Sequence, residues 1–317
     1  MKKTVLLLSL LLIGCGQEEA TINDINVSLP SENVVSLELS QEETQEEVDP
    51  EVEEIEEVLV EDIEVFDDLS QDDILWLQES LKIAGFYTAR DGSFGPSTEK
   101  TLKAFQTANN LESHAYDSLT YDLLYEIRKE KLAPKFGTNL VLLNKLYYLP
   151  SDYIPDHLRE VKVDKNKYME LPEHVAVSVE QMFMDAKADD INIVLASAYR
   201  SYDYQENIFS RRVANYGFEE AEKVVAIPGE SEHQTGLAID ITSEAMNFGL
   251  GQEFENDPVF EWMMENCYKY GFILRYPKGR EDDTGYIYEP WHYRYIGDVE
   301  IAEMLMTQDL ILEEYFE

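Results

Sequence analysis

Between residues 16 and 70 the chain carries 20 Asp and Glu and not one Lys or Arg, and Phe66 is its only aromatic side chain there. Such a stretch cannot bury enough apolar surface to offset the entropy of ordering it. Val48, Val52, Ile55, Leu59, Ile63 and Phe66 recur at helical spacing, but Pro50 and unrelieved Glu–Glu repulsion oppose a stable helix. Residues 15–69 are therefore expected to be an extended, self-repelling spacer, with an end-to-end distance of roughly 40 Å. Folding is left to residues 71–317, where 23 basic and 45 acidic side chains reduce the formal net charge of −40 to a local −22. No basic stripe is available to replace phosphate counterions, which excludes nucleic acid as a partner.

Ahead of the spacer, Met1-Lys2-Lys3 and the apolar run from Thr4 to Ile13 read as an export signal over residues 1–14. The run is too short to cross the roughly 30 Å of bilayer hydrocarbon as a helix. It ends Leu12-Ile13-Gly14-Cys15, which resembles the lipobox of bacterial lipoproteins. That resemblance implies lipidation of Cys15, attachment to a bacterial membrane through the lipid alone, and an extracytoplasmic location. Cys267, the other of the two cysteines, then has no partner in the chain and is expected to be a buried helical thiol.

Residues 70–127 predict three short helices. Ser70 and Asp73 form a capping-box start to a helix with Ile74, Leu77 and Leu81 on one face. A loop, Asp91-Gly92-Ser93-Phe94-Gly95, leads to Pro96 at the head of a second helix carrying Leu102 and Phe105. Leu119, Leu123, Leu124 and Ile127 mark the third. The order Leu77-Gln78, Leu81, Gly85-Phe86-Tyr87, Asp91-Gly92-x-Phe94-Gly95, Thr98, Phe105-Gln106 resembles the peptidoglycan-binding domain 1 family. The likeness weakens after Asn110, where Ser113-His114-Ala115-Tyr116-Asp117 replaces the family's second Asp-Gly turn. The module is thus expected either to contact peptidoglycan, through its stem peptides or its glycan, or to serve as a helical spacer.

The chemistry is expected in residues 138–312. A strand-like opening from Asn139 to Lys145 precedes a helix from about Glu173 to Ala186. A buried strand from Ile191 to Leu195 then runs into Ser197-Ala198-Tyr199-Arg200-Ser201. Only five histidines occur in the chain, and two sit in dense polar motifs. In Ser231-Glu232-His233-Gln234-Thr235-Gly236-Leu237-Ala238-Ile239-Asp240, an extended chain would hold His233 and Asp240 roughly 23 Å apart and a helix about 10 Å apart. Neither lets both bind one ion at about 2 Å. Thr235-Gly236 supplies a bend that can fold the histidine back beside the aspartate on the strand from Leu237 to Thr242. In Glu289-Pro290-Trp291-His292, Pro290 forces a break, so that a turn must bring Glu289 and His292 into one site. Two imidazoles, a carboxylate and an open fourth position suit catalytic zinc, and a neighbouring carboxylate suits a general base.

Four blocks in this order, Ser197-x-Tyr199-Arg200-Ser201-Tyr202 with Gln205, Ser231-x-His233 through Asp240, Tyr270-Gly271-Phe272-Ile273-x-Arg275-Tyr276-Pro277 and Glu289-Pro290-Trp291-His292, resemble the VanY-type D-alanyl-D-alanine carboxypeptidases. The resemblance implies an α+β zinc peptidase with a small antiparallel sheet flanked by helices, of the Hedgehog/DD-peptidase kind. It implies one Zn2+ per chain on His233, Asp240 and His292, with Glu289 as catalytic base. Arg200 would stabilise charge on the scissile carbonyl, while Ser231 and Gln205 would line the substrate pocket. The expected reaction is removal of the C-terminal D-alanine from peptidoglycan stem peptides by metal-activated water, carried out by a monomer. Alternatives are an L,D-carboxypeptidase acting on tetrapeptide stems and a non-catalytic wall-binding lipoprotein. His114, His157 and His174 lie outside the motifs and are expected to be structural.

Overall fold

The computed structural model describes residues 65–111 and 115–316. The signal sequence, Cys15, the spacer up to residue 64 and His114 lie outside the described residues. Three helices open the described region: α1 (Gln71–Ile83), α2 (Pro96–Ala108) and α3 (Ser118–Glu130). Ser70 and Asp73 close the expected capping box on α1. Leu77, Leu81, Leu102, Phe105, Tyr116 and Leu124 form the shared core. Leu119 faces outward at 48% exposure, so that the apolar face of α3 rests on Leu124 with Leu123 and Ile127.

The polar members of the module's motif are an internal hydrogen-bond net. The buried Gln78 side chain donates to Asp91 Oδ1 (2.8 Å) and Thr98 Oγ1 (2.9 Å), and accepts from the Gly92 backbone N–H (3.0 Å). Gly92 has φ +69°, and a Cβ there would lie 2.9 Å from the Gln71 side chain, so that both conformation and space call for glycine. Gln106 similarly ties α2 to Ala115 O and Thr120 Oγ1.

The second half of α1, from Gln78 to Lys82, is buried on every face. One side packs on the module core and the other on the following region. Lys82 Nζ pairs with Glu206 Oε2 at 2.5 Å. Glu79 accepts from Ser151 Oγ at 2.7 Å and pairs with Arg128 at 3.3 Å. Tyr87 stacks edge-on against Phe209 and tilted against Phe218.

Next come a two-stranded ladder, β1 (Leu158–Glu160) and β2 (Glu170–Pro172), then α4 (Glu173–Ala188), β3 (Val194–Ser197), α5 (Tyr202–Tyr216) and α6 (Phe218–Glu222). The chain continues through β4 (Ala238–Thr242), α7 (Pro258–Asn266), β5 (Phe272–Leu274), α8 (Glu281–Thr284), β6 (His292–Tyr295) and α9 (Val299–Thr307). The main sheet has order β3-β4-β6-β5, with every neighbouring pair antiparallel. Helices pack around it over a core that includes Val179, Met182, Ile239, Ile241, Trp262, Phe272 and Tyr293. This is the expected α+β class. Cys267 is fully buried in that core, just beyond α7, and burial pushes its thiol up to about 12.

Two expectations need correction. Residues 139–145 form no strand. Three alternate backbone carbonyls are taken by buried guanidinium groups instead of a ladder: Arg294 donates to Asn139 O (3.0 Å) and Val141 O (2.7 Å), and Arg275 to Leu143 O (3.4 Å). The strand foreseen from Ile191 begins only at Val194. Ile191 is used to close α4, its N–H reaching Ala186 O at 2.9 Å beyond Asp190 at φ 62°, a helix-terminating turn that consumes the chain before the sheet can start.

Candidate functional site

Sheet register does the first part of the assembly. Asp240 on β4 lies directly opposite His292 on β6, and side chains directly opposite share a face. Their contact is His292 Nδ1 to Asp240 Oδ1 at 3.0 Å. His233 arrives from the other direction, on a 3-10 turn spanning Glu232–Thr235 that Gly236 ends in the left-handed region, φ 72°. A Cβ at Gly236 would stand 2.7 Å from the Pro172 ring, so the bend expected at Thr235-Gly236 is present and admits only glycine. His233 Nε2 then lies 3.2 Å from Asp240 Oδ2.

The turn is locked to the end of β3. His233 Nδ1 meets Ala198 O at 2.7 Å, and the Arg200 N–H donates to His233 O at 3.1 Å. One imidazole nitrogen is thereby committed to a backbone carbonyl as donor, and the other is turned inward as a lone pair. His233 Nε2 is buried with no hydrogen-bond partner. Ligand atoms of His233, Asp240 and His292 all lie within 4.8 Å of one another. A buried, unpartnered imidazole nitrogen converging with a second imidazole and a carboxylate is the donor set of a metal site, and of zinc in particular.

Glu289 reaches the same spot through the turn before β6. The His292 N–H donates to Glu289 O at 3.1 Å, and Glu289 Oε2 lies 3.8 Å from His292 Nδ1. Arg200 approaches from the loop between β3 and α5, with Nη2 3.6 Å from Asp240 Oδ2. Gln205 holds it: Arg200 Nη1 donates to Gln205 Oε1 (3.1 Å), and Gln205 Nε2 donates to Ala226 O (2.7 Å). Arg200, Gln205, Ser231, His233, Glu289 and His292 all border one cavity of about 70 Å³. His157 sits at the exposed entry to β1 and His174 on α4 beside Asn139, so neither joins the cluster.

Burial tunes the charges. It pushes the Glu289 carboxyl up to about 7, with nearby Asp240 acting in the same direction against the His292 and Arg200 charges. Burial, helped by the Arg200 charge, pulls His233 down to about 4, which leaves it neutral and able to ligate. Burial opposes ionisation of Asp240, but the neighbouring His233 and His292 imidazoles outweigh this and hold it well below the usual carboxylate range.

Three residues without an expected role belong to the site. Tyr276 and Tyr286 form its wall, with the Tyr276 ring centroid 4.9 Å from those of His292 and Tyr286. Glu232, buried and next to His233, touches His292 Nε2 through Oε2 at 3.3 Å. Its adjacency to a ligand candidate was the available signal, but an acidic residue in a polar motif carries no mark of burial.

Comparison with known proteins agrees with this geometry. The VanY family model, D-alanyl-D-alanine carboxypeptidase, matches residues 168–298, and a peptidoglycan binding domain model matches residues 70–114. YodJ of Bacillus subtilis (strain 168) is 45% identical over 186 residues, covering 56% of this chain and 67% of its own. The bifunctional D-Ala-D-Ala dipeptidase and D-Ala-D-Ala carboxypeptidase VanXYC of Enterococcus gallinarum is 33% identical over 178 residues, covering 56% and 92%. Among solved structures, the LdcB LD-carboxypeptidase is similar at 44% identity and a TM-score of 0.53, covering 55% of this chain and 84% of that one. With the same ordered motifs gathered into one buried site, the chain belongs to the VanY D-alanyl-D-alanine carboxypeptidase family.

Proposed function

We propose that the chain is a zinc-dependent carboxypeptidase that removes the C-terminal D-alanine from peptidoglycan stem peptides, acting as a D,D-carboxypeptidase. The observation that carries this reading is the convergence of His233, Asp240 and His292 on one point, with Glu289 beside it and Arg200 opposite. His233, Asp240 and His292 would hold one zinc ion per chain. Bound there, zinc would supply Lewis acidity and a water of lowered pKa.

The remaining work falls to the chain's own groups. Glu289, buried and with its carboxyl pushed up to about 7, is poised near neutrality to take a proton from the attacking water and return it to the departing D-alanine amine. The Arg200 guanidinium, held by Gln205 at 3.1 Å, places fixed positive charge where the carbonyl oxygen becomes negative. Tyr276 and Tyr286 exclude bulk water from one side of the cavity, which strengthens both electrostatic terms. Ser231 lines the same cavity and is assigned to substrate contact.

A second reading, removal of D-alanine from tetrapeptide stems in the L,D register, is favoured by the 44% identity to the LdcB LD-carboxypeptidase. Digestion of purified muropeptides separates the two. The D,D reading expects pentapeptide stems to shorten by one D-alanine, whereas shortening of tetrapeptides alone would replace it by the L,D reading. The proposal also has the monomeric enzyme anchored outside the cytoplasm through lipidated Cys15, with the acidic spacer reaching towards the wall and the helical module in contact with peptidoglycan. Radiolabelled palmitate incorporated by the wild type and not by Cys15→Ala tests the anchor.

A further inference from the structure

We propose that Glu232 is a positioning residue of the metal centre, a buried carboxylate that sets which nitrogen of His292 faces the metal. The inference rests on the zinc reading above. It starts from an arrangement that neither the proton transfer nor the charge stabilisation requires.

Glu232 is 1% exposed. Its Oε1 accepts from Arg275 Nε at 2.8 Å and from Arg294 Nη1 at 2.6 Å, and its Oε2 lies 3.3 Å from His292 Nε2. Both arginines are fully buried. Arg275 has a second anionic partner, Glu313, through Nη1 (2.8 Å) and Nη2 (2.7 Å). Arg294 donates from Nε and Nη2 to backbone carbonyls at Asn139, Val141 and Tyr295. Two guanidinium charges therefore face two carboxylates, and the cluster is neutral only with Glu232 ionised.

An ionised carboxylate can only accept. Whatever faces Oε2 must donate, so His292 is held with a proton on Nε2 and, when neutral, a lone pair on Nδ1. Nδ1 is the nitrogen 3.0 Å from Asp240 Oδ1 and 3.8 Å from Glu289 Oε2, on the side where His233 and Asp240 converge. A ligand imidazole oriented through its other N–H by a carboxylate is fixed in tautomer and made more basic. Because Glu232 directly precedes His233 on the same 3-10 turn, it couples the two histidines. Through the arginines it also ties them to residues 139–143 and to Glu313 near the end of the fold. Glu232 is unsuited to be a second base: both its oxygens are engaged and it has no exposed edge.

The test is zinc affinity, measured by competition with a chromogenic chelator on the full chain, for the wild type, Glu232→Gln and Glu313→Gln. Glu232→Gln is expected to bind zinc about 10–100-fold more weakly, the cost usual for losing such a partner. Glu313→Gln removes the other carboxylate on Arg275 without touching His292, and is expected to hold zinc within about twofold of the wild type while unfolding at lower denaturant. Long-range 15N–1H NMR of the zinc-loaded wild type, which needs no variant to fold, is expected to show His292 protonated on Nε2. Wild-type zinc binding with an unchanged Glu232→Gln affinity overturns the role of Glu232 alone, as does a proton on Nδ1. A wild type that binds no zinc overturns the metal reading and this inference together.

Discussion

Glu289 Oε2 lies 3.8 Å from Nδ1 of His292, three residues along the chain, and the turn between them is closed by the His292 N–H on Glu289 O at 3.1 Å. The pair is thus rigid in the backbone yet too far apart for a hydrogen bond between the side chains. That spacing keeps the carboxylate next to the candidate metal ligands and free to exchange a proton.

Glu289→Gln removes the proton acceptor and keeps the shape. Turnover on a stem peptide is expected to fall by about 10²–10⁴-fold, while zinc content measured by atomic absorption stays at the wild-type level. His233→Ala is expected to lose both.

Gln205 spans Arg200 and Ala226 O with the two ends of its amide, and so fixes the guanidinium at the cavity. Gln205→Ala frees the guanidinium from its fixed position. A loss of about 10–100-fold in kcat with a smaller change in KM is expected, since misplacement of a catalytic group by an ångström costs on that order. A steady-state titration of substrate separates the two parameters.

Protonation sets the stability of the metal-free protein above pH 6.5. Burial raises Glu289 to about 7 and Glu230 to about 8 from the usual 4.5. For His292, burial acts downward, but hydrogen bonds to Asp240 and Glu232 outweigh it and raise the group from 6.5 to about 9. All three groups keep their protons longer in the folded chain than in the unfolded one. Their contributions are present at low pH and are lost as pH rises through the folded values. The melting temperature without metal is therefore expected to fall between pH 6.5 and 9. Glu230→Gln should flatten that decline, gaining about 2–4 °C at pH 9 for each kcal/mol recovered, as read by circular dichroism at several pH values.

Lys82 and Glu206 join the helical module to α5, with the lysine side chain 2% exposed and the glutamate 17%. Removing one member of a buried pair strands the other. Glu206→Ala is expected to destabilise the chain by about 3 kcal/mol, whereas the double variant Lys82→Met/Glu206→Met, which replaces both charges with apolar atoms, should cost less than about 1 kcal/mol. Urea unfolding of each variant measures both.

Much of the site was legible because its chemistry is carried by uncommon residues in dense motifs. His233, Asp240, Glu289 and His292 are brought together by features visible in sequence: a glycine bend, a buried strand and a proline-forced turn. Glu232 was not legible as a buried group, since nothing in Ser231-Glu232-His233 reveals two arginines arriving from β6 and from just beyond β5. The same arginines explain the misread opening at residues 139–145, where apolar side chains suggest a strand but three alternate carbonyls are satisfied by guanidinium groups. In the helical module, the apolar pattern located the helices, yet the six consecutive buried residues from Leu77 to Lys82 arise from packing on two sides, which periodicity along one helix cannot register.

The central claim is metal-dependent release of D-alanine by the Glu289 site. The direct measurement is free D-alanine liberated from a purified pentapeptide stem by the full chain, before and after removal of metal with chelator and after zinc is restored. The account predicts release by the zinc-loaded wild type, its loss on chelation, its return with zinc, and at most trace release by Glu289→Gln. Release that survives complete metal removal, or wild-type rates from Glu289→Gln, would contradict it.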